Sequence, residues 1–170
     1  ALLGAGDRAV SRGATVPARL FTPLTRGELQ LANRVVMAPM TRNRADDDGV
    51  PGELMVRYYA QRADAGLIVA EGTWPSRSGQ AYCRQPGIAT PQQIDGWRRV
   101  TDAVHARGGR IVLQIMHAGR IGSHHVKGDG VETVSASAIR AAGEVFTDAA
   151  GMQPFDMPRE LSTAEVRAVV

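Results

Sequence analysis

The chain has 170 residues, of which 44% are apolar, 22% are charged and 5% are aromatic, a composition that excludes collagen-like, largely disordered and membrane-spanning chains. Its 20 basic residues are offset by 17 acidic ones, for a net charge of +3, and no cluster of basic residues is dense enough to follow a phosphate backbone. We therefore expect no nucleic acid and no membrane among its partners.

Residues 1–18 are rich in small residues, begin without methionine and lack the continuous apolar stretch of a signal peptide. We expect them to form a flexible N-terminal extension, whether native, a fusion remnant or part of a longer chain. Gly4 and Gly6 follow no strand, which argues against a dinucleotide-binding loop at this end. Residues 19–170 are predicted to belong to a single domain.

Three apolar segments predict buried strands. The first covers residues 34–38 and stops at Pro39. The second, residues 67–70, is β-branched and too short for a helix, and the third covers residues 110–115.

Helices are predicted between and after these strands. Residues 52–65 carry apolar side chains at helical spacing, and we expect Gly66 to end that helix. A second helix is expected over residues 90–108, where a capping threonine is followed by proline at the first helical position. Ser162 and Glu165 form a capping box that predicts the start of a third helix.

The alternation of near-continuous apolar strands with helices is typical of a parallel sheet covered by helices. A doubly wound sheet would need a glycine-rich turn after its first strand, but the turn here is Ala38-Pro39-Met40-Thr41. A (β/α)8 barrel carries functional residues at the carboxyl ends of its strands, where this chain has Thr41, Glu71, Gln114 and His117. We therefore predict an α/β chain that forms an incomplete (β/α)8 (TIM) barrel, roughly its first three strand–helix units.

The cysteine and histidine content limits the chemistry that we expect. Cys83 is the single cysteine, so no internal disulfide can form, and a reducing compartment, the cytoplasm, is predicted. No partner base can be named for it, which favours a passive thiol over a nucleophile. His117, His124 and His125 follow the third strand, but no carboxylate or cysteine stands at ligand spacing, so no metal site is predicted.

Five short motifs follow one another along the chain. They are Ala38-Pro39-Met40-Thr41-Arg42, Tyr58-Tyr59-Ala60-Gln61-Arg62, Glu71-Gly72-Thr73, Pro86-Gly87-Ile88 and Leu113-Gln114-Ile115-Met116-His117-Ala118-Gly119-Arg120. Together they resemble the N-terminal part of the old yellow enzyme family, over about residues 20–170. Members of that family are flavin-dependent ene-reductases on a (β/α)8 barrel, so the resemblance implies FMN as cofactor and NADPH or NADH as reductant.

The resemblance also implies a cofactor site at three strand ends. Ala38-Pro39-Met40-Thr41 would run along the flavin through backbone groups, and the Thr41 hydroxyl would donate to the carbonyl beside the reactive nitrogen and tune its redox behaviour. Gly72 would let the backbone approach the pyrimidine edge, with an ordinary strand-end turn as the alternative. Gln114 would hold that same edge, with a structural hydrogen bond as the alternative.

Other polar residues carry looser expectations. Tyr82 is placed at the substrate mouth, with a solvent-covering tyrosine as the alternative. Asn43 stands where one branch of the family has a substrate-facing tyrosine, so its role is open. Tyr58 and Tyr59 lie at helical spacing and are expected to serve packing and the surface.

The reaction that the resemblance implies is the NAD(P)H-dependent reduction of activated C=C bonds in α,β-unsaturated carbonyl compounds, by hydride transfer from reduced flavin. The family's proton-donor tyrosine and phosphate-binding loops belong to later parts of the barrel, so we expect activity only in a complete barrel. A catalytically inactive half-barrel that acts as a binding or assembly module, joining the missing C-terminal half or a second copy, is the alternative. A barrel isomerase or aldolase is disfavoured, because Lys127, the single lysine, is expected in a loop.

Overall fold

A computed structural model describes residues 18–169, so the predicted N-terminal extension, with Gly4 and Gly6, lies outside the described residues apart from Ala18. The strands are β1 (Leu24–Arg26), β2 (Leu29–Leu31), β3 (Val36–Met37), β4 (Leu67–Thr73), β5 (Ile111–Ile115), β6 (Val134–Ser135), β7 (Glu144–Thr147), β8 (Gly151–Pro154) and β9 (Arg159–Glu160). The helices are α1 (Glu53–Ala60), α2 (Pro91–His105), α3 (His124–Lys127) and α4 (Thr163–Val169), with short 3-10 helices at Ala18–Phe21 and Arg77–Gly79. Within the described range, no helix is long and apolar enough to cross a membrane.

The centre of the molecule is a three-stranded parallel sheet in the order β3, β4, β5. Val36 of β3 pairs with Leu67 of β4, and Val69 of β4 pairs with Val112 of β5. Parallel neighbours need crossover connections, which α1 and α2 supply. The predicted parallel sheet is therefore confirmed, and the strands within residues 18–169 do not close into a barrel.

One face of this sheet is covered by α1 and α2. Ile68 and Ala70 of β4 lie on that face and belong to a buried cluster that both helices share. Its other members are Ala45, Met55, Tyr59, Ala63, Trp97, Val100 and Val104. Burying each large apolar side chain stabilises the fold by about 1.5–3 kcal/mol, so this cluster is the core of the chain.

The opposite face of the sheet is open, and we call it the inner face because it corresponds to the inside of a barrel. Val36 and Val112 lie on it and are 51% and 48% exposed. Gln114 lies on the same face, two residues along β5 from Val112, because alternate residues of a strand share a face. The inner face therefore combines apolar side chains with one amide.

Helix α1 is shorter than predicted and ends at Ala60 rather than at residue 65. The N–H groups of Arg62 and Ala63 donate to the carbonyls of Tyr59 and Ala60, three residues back, so the chain tightens into turns. The start of α2 and the start of α4 agree with the prediction, and each has the reciprocal hydrogen bonds of a capping box.

Gly66 does not end α1, contrary to the prediction, because a different constraint requires a glycine there. The Asn33 side chain accepts hydrogen bonds from the N–H groups of Val35 (3.0 Å) and Gly66 (2.9 Å), and it donates to the carbonyl of Asp64 (2.8 Å). A Cβ added to Gly66 would overlap the carbonyl oxygen of Asn33. The close approach between the two backbones fixes the start of β4.

Several short elements were not predicted. β1 and β2 form an antiparallel hairpin around Gly27, which has a positive φ of 56°. β7 and β8 form a second hairpin, and β6 pairs in parallel with β9. These strands have two to four residues each, which is too short for a period-2 pattern to stand out in the sequence.

We expect Gly66→Ala to lower the free energy of unfolding by about 2 kcal/mol or more, because overpacking against a fixed backbone is costly. Gly52→Ser is the matched control: an added Cβ at Gly52 meets nothing within 4 Å, and serine is a good residue for the N-cap of α1. Urea unfolding followed by circular dichroism measures both variants. Equal midpoints for the two would contradict the close-approach explanation.

Candidate functional site

Three neighbouring strand ends come together at one edge of the central sheet. Residues 38–41 follow β3, Gly72 lies near the end of β4, and Gln114 lies near the end of β5. Gly72 and Gln114 pair directly across the β4–β5 ladder. In parallel α/β folds this carboxyl edge is where ligands bind.

A β-bulge brings Gly72 to the inner face. The register shifts between Ala70, which pairs with Leu113, and Gly72, which pairs with Gln114, so Glu71 is the extra residue of β4. Without that residue, the alternation along the strand would place Gly72 on the helix-covered face. The bulge therefore decides that the glycine and the amide share one face.

Glu71 connects this bulge to the segment that follows β3. It is fully buried, and its Oε2 accepts a hydrogen bond from the N–H of Arg42 (2.9 Å), while its Oε1 accepts one from the hydroxyl of Tyr59 (3.0 Å). The Tyr59 hydroxyl in turn accepts the N–H of Glu71 (3.0 Å). Burial raises the pKa of the Glu71 carboxyl, and the Arg42 N–H and the Tyr59 hydroxyl oppose that shift.

Tyr59 has the packing role that the sequence predicts, since it belongs to the buried core cluster, but it does not lie at the surface. Its hydroxyl also donates a hydrogen bond to Glu71, which was not predicted from the sequence. Burial, followed by the charge of Glu71, raises the pKa of its hydroxyl, so Tyr59 acts as a neutral donor. The sequence contained one signal: an acidic residue next to a buried strand needs buried partners.

Gln85 fixes the Gly72 backbone from the other side. Its Nε2 donates to the carbonyl of Gly72 (2.9 Å), and its Oε1 accepts the N–H of Ala81 (2.9 Å). The indole of Trp74 donates to the Gln85 carbonyl (2.9 Å). Gln85 is fully buried, and nothing in its sequence context distinguished it from a surface glutamine.

The groups that face the open side have free polar atoms. Within residues 18–169, neither the N–H nor the hydroxyl of Thr41 has a hydrogen-bond partner, and neither does the exposed amide of Gln114. The Met116 thioether lies over Gly72, where an added Cβ would meet its Cε at 2.7 Å. A methionine end group turns aside easily, so this contact leaves the glycine accessible.

The chain is similar to known proteins over almost its whole length. The model of the NADH:flavin oxidoreductase / NADH oxidase family matches residues 19–170. The chain belongs to this family. Its members are flavin-dependent oxidoreductases that use FMN together with NAD(P)H.

Individual relatives agree with that assignment. Over 156 residues the chain is 42% identical to an NADP-dependent oxidoreductase of Aspergillus flavus, covering 89% of this chain and 38% of the relative. Over the same length it is 37% identical to 12-oxophytodienoate reductase 7 of rice, covering 90% of this chain and 39% of the relative. The chain thus spans about two fifths of the curated relatives that it matches.

Solved structures of the family match the fold as well. The old yellow enzyme homologue from Zymomonas mobilis is 42% identical, with a TM-score of 0.83 over 88% of this chain and 41% of that one. Morphinone reductase, solved in complex with tetrahydroNAD, is 46% identical, with a TM-score of 0.81 over 88% of this chain and 42% of that one. These relatives are TIM barrels, of which this chain matches a part.

His117 follows β5, and its hydrogen bonds indicate a structural role. Its Nδ1 accepts the N–H of Gly119 (3.1 Å), so the neutral ring carries its proton on Nε2, which lies 3.3 Å from the Ser78 hydroxyl. Burial and the charge of Lys127 lower the pKa of His117. A neutral ring that donates to Ser78 cannot activate that serine as a nucleophile.

Lys127 is not in a loop, contrary to the prediction; it is the last residue of α3 and is 1% exposed. Its Nζ donates to the Thr133 hydroxyl (3.0 Å), which donates to Asp156 (2.9 Å). Asp156 also contacts the ring of His124 (2.9 Å). Burial lowers the pKa of Lys127 to about 8, although the charge of Asp156 opposes the shift.

Three further residues lie outside these contacts. Tyr82 is 36% exposed, and within residues 18–169 no hydrogen bond joins its ring to the three strand ends. Asn43 adopts a positive φ of 54°, and its backbone carbonyl accepts a hydrogen bond from the guanidinium of Arg44 (3.1 Å). Burial raises the pKa of the Cys83 thiol, and the backbone N–H of Asp148 only partly opposes that shift; a raised pKa is the opposite of what a nucleophile requires.

Replacement of Lys127 by methionine tests its buried charge. The pKa of Lys127 is about 8 in the folded chain, against an ordinary value of 10.5. Between pH 8 and pH 10.5 the unfolded state therefore binds more protons than the folded state. The free energy of unfolding of the wild type should therefore rise with pH across this interval, on the order of 2–3 kcal/mol relative to Lys127→Met. Urea unfolding at pH 7.5 and pH 10.5 measures the difference, and a gap that stays constant with pH would contradict the lowered pKa.

Proposed function

We propose that this chain forms the first three strand–helix units of an FMN-binding barrel. In its complete form, the barrel reduces activated C=C bonds of α,β-unsaturated carbonyl compounds with NADPH or NADH. The observation that carries the proposal is the pairing of Gly72 with Gln114 on the inner face, beside the segment 38–41, in a chain of this flavin oxidoreductase family.

The chemistry of these groups fits a flavin. The pyrimidine edge of an isoalloxazine alternates carbonyl oxygens with ring nitrogens, and the Gln114 amide offers a donor and an acceptor that have no partner among residues 18–169. Gly72 has no side chain that would prevent the close approach of a ring edge. The Met116 thioether that lies over it can turn aside. The backbone of Ala38-Pro39-Met40-Thr41 belongs to no helix or strand, so its polar groups are open to a ligand.

Each residue then has a definite task. FMN, when bound, supplies the hydride chemistry between the nicotinamide and the alkene. The Thr41 hydroxyl donates to the flavin carbonyl beside the reactive nitrogen and stabilises negative charge there. Gln114 orients the ring, Gly72 lets it approach the sheet, and Tyr82 borders the substrate mouth.

A second candidate, an assembly module, is favoured by the open inner face. Val36 and Val112 are 51% and 48% exposed, and β3 and β5 are both edge strands. An open apolar face between unpaired edges favours association with further strands. The partner would be the C-terminal part of a barrel or a second copy of the chain.

The cytoplasm is the proposed location. Cys83 is the single cysteine, and its reduced thiol donates to the carbonyl of Phe146 (3.6 Å) and lies beside Asp148. A free, partly exposed thiol of this kind suits a reducing compartment.

The isolated chain should bind FMN weakly or not at all and should not oxidise NADPH in the presence of an enone. The physical reason is that residues on three strand ends contact one edge of the ring only. A hybrid in which residues 19–170 replace the matching part of the Zymomonas mobilis homologue should bind FMN and turn over. Flavin absorbance and NADPH oxidation measure both, and full turnover by the isolated chain would overturn the requirement for a complete barrel.

In that hybrid, Gln114→Ala should weaken FMN binding about thirtyfold, because a flavin edge loses two hydrogen bonds worth about 1 kcal/mol each. The thermal stability of the apoprotein should stay unchanged, since the side chain is exposed and makes no bond within residues 18–169. Gln61→Ala, at an exposed glutamine after α1, is the control. Equal FMN affinity in the two variants would remove Gln114 from the site.

A further inference from the structure

Glu71 joins three elements that meet behind the proposed site. It lies at the bulge of β4, contacts α1 through Tyr59 and contacts the segment after β3 through Arg42. Within residues 18–169, no basic side chain forms an ion pair with it. Its hydrogen-bond partners are one backbone N–H and one neutral hydroxyl, and the charge of the Arg42 guanidinium acts on it from beyond ion-pair distance.

Stability alone does not account for a carboxyl group at this position. Removing a carboxyl group from water is costly, and a buried polar network can often be replaced by packed apolar side chains at no loss of stability. The distinctive effect of the carboxylate is directional: it holds the N–H of Arg42 at 2.9 Å. Arg42 directly follows Thr41, so this bond fixes where Thr41 stands relative to the sheet.

Thr41 itself has no other restraint of that kind. Its N–H and hydroxyl have no partner among residues 18–169, and Asn43, two residues further on, adopts a left-handed conformation. A hydroxyl hydrogen bond weakens steeply as its angle departs from linear, so a small displacement of Thr41 would reduce its effect on a bound ring. The position of Thr41 thus depends on Glu71 and, through Glu71, on Tyr59.

We propose that Glu71 and Tyr59 are positioning residues that set the reduction potential of the flavin through Thr41, without contacting the cofactor. The inference rests on the proposed function. Thr41 stabilises the reduced ring more than the oxidised one, so loosening it weakens binding of reduced FMN preferentially. A tenfold preferential loss lowers the two-electron midpoint potential by about 30 mV.

Four variants of the hybrid barrel separate geometry from packing. Glu71→Leu removes the acceptor for the Arg42 N–H at similar volume, and Glu71→Gln keeps an oxygen for it. Tyr59→Phe removes the hydroxyl that holds the carboxylate. Tyr58→Phe is the matched control, because it removes a hydroxyl that makes no hydrogen bond within residues 18–169. It keeps the ring that packs under the guanidinium groups of Arg62 (3.7 Å) and Arg42 (5.4 Å).

The midpoint potential of bound FMN should fall by about 30 mV in Glu71→Leu, and it should fall by less in Tyr59→Phe. It should stay near the wild-type value in Glu71→Gln and Tyr58→Phe. Hydrogen exchange of the Arg42 amide, measured in the apoprotein, should accelerate at least tenfold in Glu71→Leu. If Glu71→Leu does not fold, Tyr59→Phe against Tyr58→Phe decides the matter.

Two results would overturn the inference, and they are distinguishable. If the wild-type hybrid binds no FMN, the proposed function fails and this inference fails with it. If the wild type binds FMN but Tyr59→Phe and Glu71→Leu keep its potential, only the positioning role is wrong. A potential that falls equally in Tyr58→Phe would assign the effect to general packing.

Discussion

The carboxyl group of Glu71, buried between the Tyr59 hydroxyl and the Arg42 N–H, is the contact on which the arrangement of the strand ends depends. A buried carboxyl group must find donors, because it has left water behind. Here the donors come from a helix and from the segment after a neighbouring strand, so satisfying one side chain fixes three pieces of backbone. The same residue is the extra one of the bulge, which turns Gly72 to the inner face.

The two faces of the central sheet explain why the proposed site is left open by this part of the chain. The helix-covered face packs against α1 and α2, which fully bury Ile68 and Ala70. The inner face carries valines that are about half exposed and an amide with no hydrogen-bond partner among residues 18–169. A barrel fills its interior with side chains from all of its strands, so three strands leave that interior open. In the relatives, which are more than twice as long, further strands stand opposite these three.

Part of the proposed site at the carboxyl ends of β3, β4 and β5 could be predicted from the sequence. Thr41, Gly72 and Gln114 follow apolar segments, and that pattern alone indicated a carboxyl edge. Gln85 and Tyr59 were missed because their partners, a backbone carbonyl and a carboxylate, are distant in sequence. Lys127 was misplaced for a related reason: α3 is a single turn, and its burial depends on Thr133 and Asp156, which are supplied by later segments.

The sequence by itself determined the order of β3, β4 and β5 and of the helices α1, α2 and α4, together with the parallel sheet and the family. Apolar periodicity, capping residues and short motifs are local properties. The sequence also determined where two of the helices begin, since a capping box is complete within four residues. The tertiary structure alone decided the end of α1, the requirement for Gly66 beside Asn33, and the bulge that aligns Gly72 with Gln114. Those features depend on contacts between backbone segments that are distant in sequence. Asn33 and Gly66, for example, are 33 positions apart, so neither local sequence pattern predicts their contact.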